Sequence, residues 1–302
     1  MRPSAGFVRW VHNQLILIIE ENIIKTHIKL GLLAFTFSLA ACNNNSSDSG
    51  DSPVVPAANS AFRVVNAIAD STMLAGSFED SVGTYTQMPA FGTAGNVEPF
   101  PAGSYVVQLA ANSSSGATQN FSINNVLLDA GSLTSVIAAG SLTSGTQTGF
   151  TAEESLTSAA VGQAVMQVAN AASQAYSGQT FQFVFTPIAG ASGAATVQSS
   201  AVTFAQAGTP FNLPAGKYEI TVDSSPTCSP GQACSNVIAV VFDSGPNGVD
   251  LQDSSGGTGA GIYQLIALDA TSAQASADSA SITLLLLGTN SGSYTTLFNR
   301  QN

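Results

Sequence analysis

The sequence predicts an all-β protein built as two tandem sandwich units, and three observations predict it. Phe181, Phe183 and Phe185 alternate with Gln182, Val184 and Thr186, and Tyr218, Ile220 and Val222 alternate with Lys217, Glu219 and Thr221. That is the period of a strand with one face in a core. Clusters of Gly, Pro, Asn and Ser separate such runs, as turns require. The chain also contains itself twice. FRVVNA at 62–67 matches MQVANA at 166–171, the Pro-Ala-Gly-x-Tyr segment ending at Tyr105 recurs ending at Tyr218, and SLTSVIA at 132–138 echoes GIYQLIA at 261–267, all in one order.

Taken from the N terminus, the first element is a targeting segment. Lys25 and Lys29 precede an apolar run from Leu30 that closes with Leu39, Ala40, Ala41 and Cys42. The run has the length of a signal-peptide core and is too short for a permanent membrane span. Its ending is the pattern at which a bacterial lipoprotein precursor is acylated and cut, so the mature chain is expected to begin at Cys42. A second apolar patch at 15–19 is stopped by Glu20 and Glu21, where a signal peptide prefers positive charge. Translation is therefore expected to start downstream of Met1.

A thiol at the mature N terminus can carry a diacylglyceryl thioether while the freed amine takes another acyl chain. Each buried methylene contributes about 0.8 kcal/mol, so more than one chain anchors stably. Asn43 rather than Asp follows the cysteine; in a host with two membranes this favours the outer one. The Ser, Asn, Asp and Pro stretch that follows, to residue 60, reads as a tether holding the first unit about 20–25 Å from the membrane.

The first unit is expected over 61–150 and the second over 161–302, joined by a linker at 151–160. Strands are expected at 62–66, 105–110, 121–128 and 133–138 in the first. In the second they are expected at 181–186, 202–205, 217–222, 237–242, 262–268, 282–287 and 294–298. Only 151–164, with Glu153 and Glu154 near its start, suits a helical turn. Many short strands with turn signals between them describe a sandwich in each unit.

Composition excludes several functions. Arg63, Lys217 and Arg300 are the only basic residues after Cys42, against sixteen acids, a formal charge of −13. Such a chain cannot gather phosphates, so nucleic acid is not a partner. His12 and His27 both precede the cleavage point. The mature chain thus lacks Ser/His/Asp and Cys/His catalysis and the commonest transition-metal ligand. No G-x-S-x-G elbow is present either.

The repeated opening at Arg63-Val-Val-Asn-Ala and the Pro-Ala-Gly-x-Tyr segments at Pro101 and Pro214 resemble the domain of unknown function family 4397. In the second copy Gln167 stands where the first has Arg63. The resemblance implies exported bacterial surface proteins, often lipoproteins, with tandem immunoglobulin-like β domains. It brings no established activity.

Four groups of residues are candidate sites. Cys228 and Cys234 lie in a loop with Pro226, Pro230 and Gly231. In an oxidising compartment they are expected to pair, closing a hairpin tip for about 2 kcal/mol. Asp243, Asn247, Asp250 and Asp253 sit on a Gly-bent loop and are ligand types that calcium takes. Gly245 at position three and Ser254 at position twelve depart from an EF-hand, and a polar turn explains the same residues. The adjacent acids Glu79 and Asp80, and Glu153 and Glu154, with Glu219 and Asp223 four apart, read as solvated charge rather than a hydrolytic pair across a cleft. Tyr105 and Tyr218 read as core rings with hydroxyls bonded to nearby backbone, and Arg63 as a strand-face salt bridge.

The sequence therefore points to a lipid-anchored, non-catalytic binding or structural module of the cell envelope, with no required cofactor. The membrane is its partner through the anchor, and an envelope polysaccharide or protein is the expected ligand. The alternative is a carboxylate-dependent hydrolase of envelope glycans.

Overall fold

The computed structural model describes residues 59–80, 83–156, 159–172, 179–188, 195–225, 240–242, 249–251, 261–269, 282–288 and 296–298. Every regular element among them is a strand. The first copy comprises β1 (Asn59–Ile68), β2 (Ser71–Glu79), β3 (Thr84–Gln87), β4 (Thr93–Ala94), β5 (Glu98–Pro101), β6 (Gly103–Ser113), β7 (Thr118–Leu128), β8 (Ser132–Gly140) and β9 (Thr148–Ser155). The second comprises β10 (Gln163–Asn170), β11 (Thr180–Pro187), β12 (Val197–Gln198), β13 (Gln206–Ala207), β14 (Phe211–Pro214), β15 (Gly216–Ser225), β16 (Val240–Phe242), β17 (Val249–Leu251), β18 (Ile262–Asp269), β19 (Ile282–Gly288) and β20 (Thr296–Phe298).

Each copy stacks two sheets. In the first, β4-β1-β8-β9 with β5 on β1 faces β3-β2-β6-β7; in the second, β13-β10-β18-β19-β20 with β14 on β10 faces β12-β11-β15-β16 with β17 on β15. The central pair of the first sheet is parallel, Arg63 opposite Ser135, and so is its counterpart, Gln167 opposite Gln264. The matching sequence segments therefore occupy matching strands. Parallel neighbours need a long crossover, here the whole second sheet of each copy.

Period-two alternation sorts the side chains of these central strands onto two faces. Phe62, Val64, Val136 and Ala138 point into the first copy's own core with Leu74, Phe78 and Leu109. Met166, Val168, Leu265, Leu284 and Leu286 do the same in the second, against Phe181, Phe183, Phe185 and Tyr218. The other face is also buried. Val65, Ala67, Ile137, Ala139 and Ala152 of the first copy form a third core with Ala169, Ala171, Ile266, Leu268, Leu285 and Leu287 of the second. Strands covered on both faces lose their polar alternation. That accounts for the unbroken apolar run Leu284 to Leu287 and for the burial of every residue of β18 and β19.

Two motifs acquire physical roles. Asn66 and Asn170, both buried, accept from the backbone amides of Ile68 and Ala172 through Oδ1 (3.2 and 3.1 Å) and donate to the carbonyls of Pro89 and Val202. Each thus satisfies the backbone where its strand ends. The Tyr105 and Tyr218 hydroxyls donate to the carbonyl oxygens of Pro101 and Pro214, at 2.9 and 2.7 Å. Tyr218 is fully buried, as the sequence predicts, whereas Tyr105 is half-buried and leans on Phe100.

Three expectations are corrected. The helical turn expected after residue 150 is strand: β9 continues through Ser155, paired with β8 because Ala152 and Glu154 are buried on the face between the copies. Residues 202–205 are not a strand: Val202 makes an isolated bridge to Phe181, and Phe204 and Ala205 form a turn. Glu154 is not solvated charge; it is buried.

Candidate functional site

Arg63 shares the odd-numbered face of β1 with Val65 and Ala67, which carries it into the region between the copies. Its three guanidinium nitrogens each have a partner there. Nε donates to Ser135 Oγ (2.8 Å), Nη2 to Glu154 Oε1 (2.9 Å) and Nη1 to the carbonyl oxygen of Gly288 in the second copy (2.9 Å). The ion pair is almost wholly inaccessible, with side-chain exposures of 3% and 1%. Burial pushes the Glu154 carboxyl up and the Arg63 guanidinium down, each opposed by the other's charge. The two groups meet in one hydrogen bond between opposite charges, while Glu154 Oε2 has no partner among the described residues.

The second copy fills the same place without charge. Gln264 donates to Gln167 Oε1 (3.2 Å), and Gln167 donates to the carbonyl oxygen of Gly208 (3.1 Å).

A cleft of about 500 Å³ is built from residues of both copies. Asn124 and Asn125 of β7, Phe150 and Thr151 of β9, and Ala205 and Gln206 before and in β13 line it. None of its lining residues carries a formal charge. Asn124 and Asn125 form a bulge, two residues set against the single Val106 between the pairs Tyr105–Val126 and Val107–Ile123. Asn125 and Ala205 are the two non-glycine residues with positive φ among the described residues, at 57° and 59°, and both line this cleft.

The strain at Ala205 has an internal control. The Ala205 amide donates to the Asn170 carbonyl (2.8 Å), as that of Gly92 does to the Asn66 carbonyl (2.8 Å), and each precedes a two-residue strand paired with its copy's opening strand. Gly92 has φ 68°. The first copy thus uses glycine where the second holds alanine left-handed.

A second hollow of about 460 Å³ lies on the outer sheet of the first copy, lined by Ser77, Glu79, Thr84, Tyr105 and Gln108 among others. Glu79 accepts a long bond from Thr84 Oγ1, at 3.4 Å. Glu153 is exposed. Glu219 and Asp223 lie on β15, opposite Thr186 and Gln182.

Of the sequence-predicted site residues, Cys42, Cys228, Cys234, Asp243, Asn247 and Asp253 lie outside the described residues. Asp250 is exposed on β17 in register with Lys217, so the nearest cross-strand neighbour of this carboxylate is a cation. Among the described residues no group of acids forms a metal cluster. The sequence reading missed the cleft. Its signals were the Asn-Asn pair inside a strand pattern and the glycine-to-alanine change between the copies.

No family model and no curated protein matches the chain. Among solved structures, a leucine-rich repeat protein from Bacteroides thetaiotaomicron matches with 10% identity and a TM-score of 0.19. The match covers 61% of this chain and 24% of that one, and a likeness this low carries no argument about fold or function.

Proposed function

We propose that the chain is a lipid-anchored, non-catalytic binding or structural module of the bacterial cell envelope. It is acylated at Cys42 and, in a host with two membranes, held on the outer one. The observation that supports this best is the third core. β18 and β19, buried along their whole length, each give one face to locking the second copy against the first, which makes a stiff scaffold carrying loops and sheet faces of low charge. A disulfide between Cys228 and Cys234 belongs to the same reading, as does the option of calcium at the loop of Asp243, Asn247, Asp250 and Asp253.

The experiment has two arms. Mass spectrometry of the processed protein should find acyl chains on Cys42, and an unmodified chain retaining residues 1–41 would overturn the anchor. Pull-down from envelope extracts should capture a polysaccharide or protein partner. The competing reading is a hydrolase of envelope glycans, and turnover abolished by a single Asp or Glu replacement in a folded protein would establish it instead.

A further inference from the structure

We infer that the cleft between the copies is a binding site for an uncharged, polyhydroxylated ligand, a segment of neutral glycan; this rests on the envelope-module reading. Four observations carry it. The cleft has the volume of a small-ligand site. Its polar groups are the amides of Asn124, Asn125 and Gln206 and the hydroxyl of Thr151. Amides and hydroxyls both donate and accept, as a sugar hydroxyl does, so each can meet such a group in either sense. An ionic ligand would find no countercharge among the lining residues, and Phe150 adds a half-buried ring against which the apolar face of a pyranose can lie.

The fourth observation is the backbone. Residues held in sparsely populated conformations persist where the surroundings over-determine them, and they gather at ligand clamps. Here Asn125 and Ala205, from different copies, face the same space. The bulge places Asn124 and Asn125 in the lining of the cleft and makes β7, the outermost strand of its sheet, irregular there. A peptide adding as an extra strand needs such an edge unbroken, which favours glycan over peptide. Ala205 fixes the direction in which the chain enters Gln206. Neither copy makes this site alone.

The test is affinity electrophoresis of the full chain in detergent through gels containing dextran, mannan or xylan, with alginate as the charged control. One or more of the neutral polymers should retard the protein and alginate should not. Asn125→Gly, which keeps the left-handed backbone and removes the amide, and Gln206→Ala should each weaken retardation at least tenfold without lowering the melting temperature. Ala205→Gly should weaken it severalfold while raising the melting temperature. Retardation that survives Asn125→Gly and Gln206→Ala, or that follows alginate, would overturn the cleft assignment. So would absence of retardation in all three neutral polymers. An envelope partner captured equally by wild type and by Gln206→Ala would sink the cleft but leave the module reading standing; no partner for either protein would sink both.

Discussion

Arg63 on β1 and Gln167 on β10 hold the same place in the two copies, yet only the arginine crosses to the other copy, donating to the Gly288 carbonyl oxygen at 2.9 Å. Gln167 bonds within its own copy. The crossing side chain is buried and paired with one carboxyl group, that of Glu154.

Removing either partner alone leaves a buried charge uncompensated, which costs about 3–5 kcal/mol. Arg63→Gln and Glu154→Gln should each destabilise by that order in urea denaturation. The double replacement imitates the neutral second copy and should cost clearly less than the sum of the two.

The third core predicts cooperativity. Calorimetry should show one unfolding transition for both copies, because neither can open without exposing Leu285, Leu287, Ile137 and Ala139. Leu285→Ala should lower that single transition by about 2–5 kcal/mol. Two separate transitions would contradict the shared core.

Asp70 sets an acid limit. Partial burial tends to raise its pKa, but backbone amides of Thr143 and Leu142 and the hydroxyls of Thr143 and Ser141 outweigh that and hold it below the ordinary carboxylate value. The bonds are 2.8 Å from Thr143 N and 2.9 Å from Leu142 N. A depressed folded pKa gives stability that is complete above the unfolded value, about pH 4. It is lost as pH falls through the folded value. Asp70→Asn should be less stable at neutral pH and should lose less on acidification over that window.

Ala205 and Gly92 give a prediction with a built-in reference. Replacing Ala205 with glycine should stabilise the protein by about 1 kcal/mol, the approximate penalty of a left-handed non-glycine residue. By contrast, Gly140→Ala should destabilise it. Gly140 has φ 99°, and a Cβ there would overlap the Thr146 carbonyl oxygen. Thermal melts decide both.

The two tyrosines should separate in the same assay. Tyr218→Phe removes a hydrogen bond from a fully buried ring and should cost about 1 kcal/mol. Tyr105→Phe should cost less, because water reaches that half-buried ring and replaces the lost partner.

Strands that bury one face were legible in the sequence. Phe181, Phe183 and Phe185 alternate with Gln182, Val184 and Thr186, and all three rings are buried. Strands buried on both faces lack that signature: Leu284 to Leu287 read as a strand, but nothing local said that its second face meets the other copy. Ser71–Glu79 was missed because Gly76 and Ser77 interrupt its apolar pattern; a Cβ on Gly76 would press on both γ-methyls of Val64. Glu154 was misjudged because its partner lies 91 residues away. The cleft left only local signals, the Asn-Asn pair and Ala205, which did not reveal that their strands are brought together by the packing of one copy on the other.

The face that joins the copies also bears on their history. Once Ile137, Ile266 and Leu285 had come to shelter one another, deleting either half would have left a greasy sheet open to water. A gene doubled in this way is no longer free to shed its extra half, and descendants are expected to inherit, transplant or lose the pair whole.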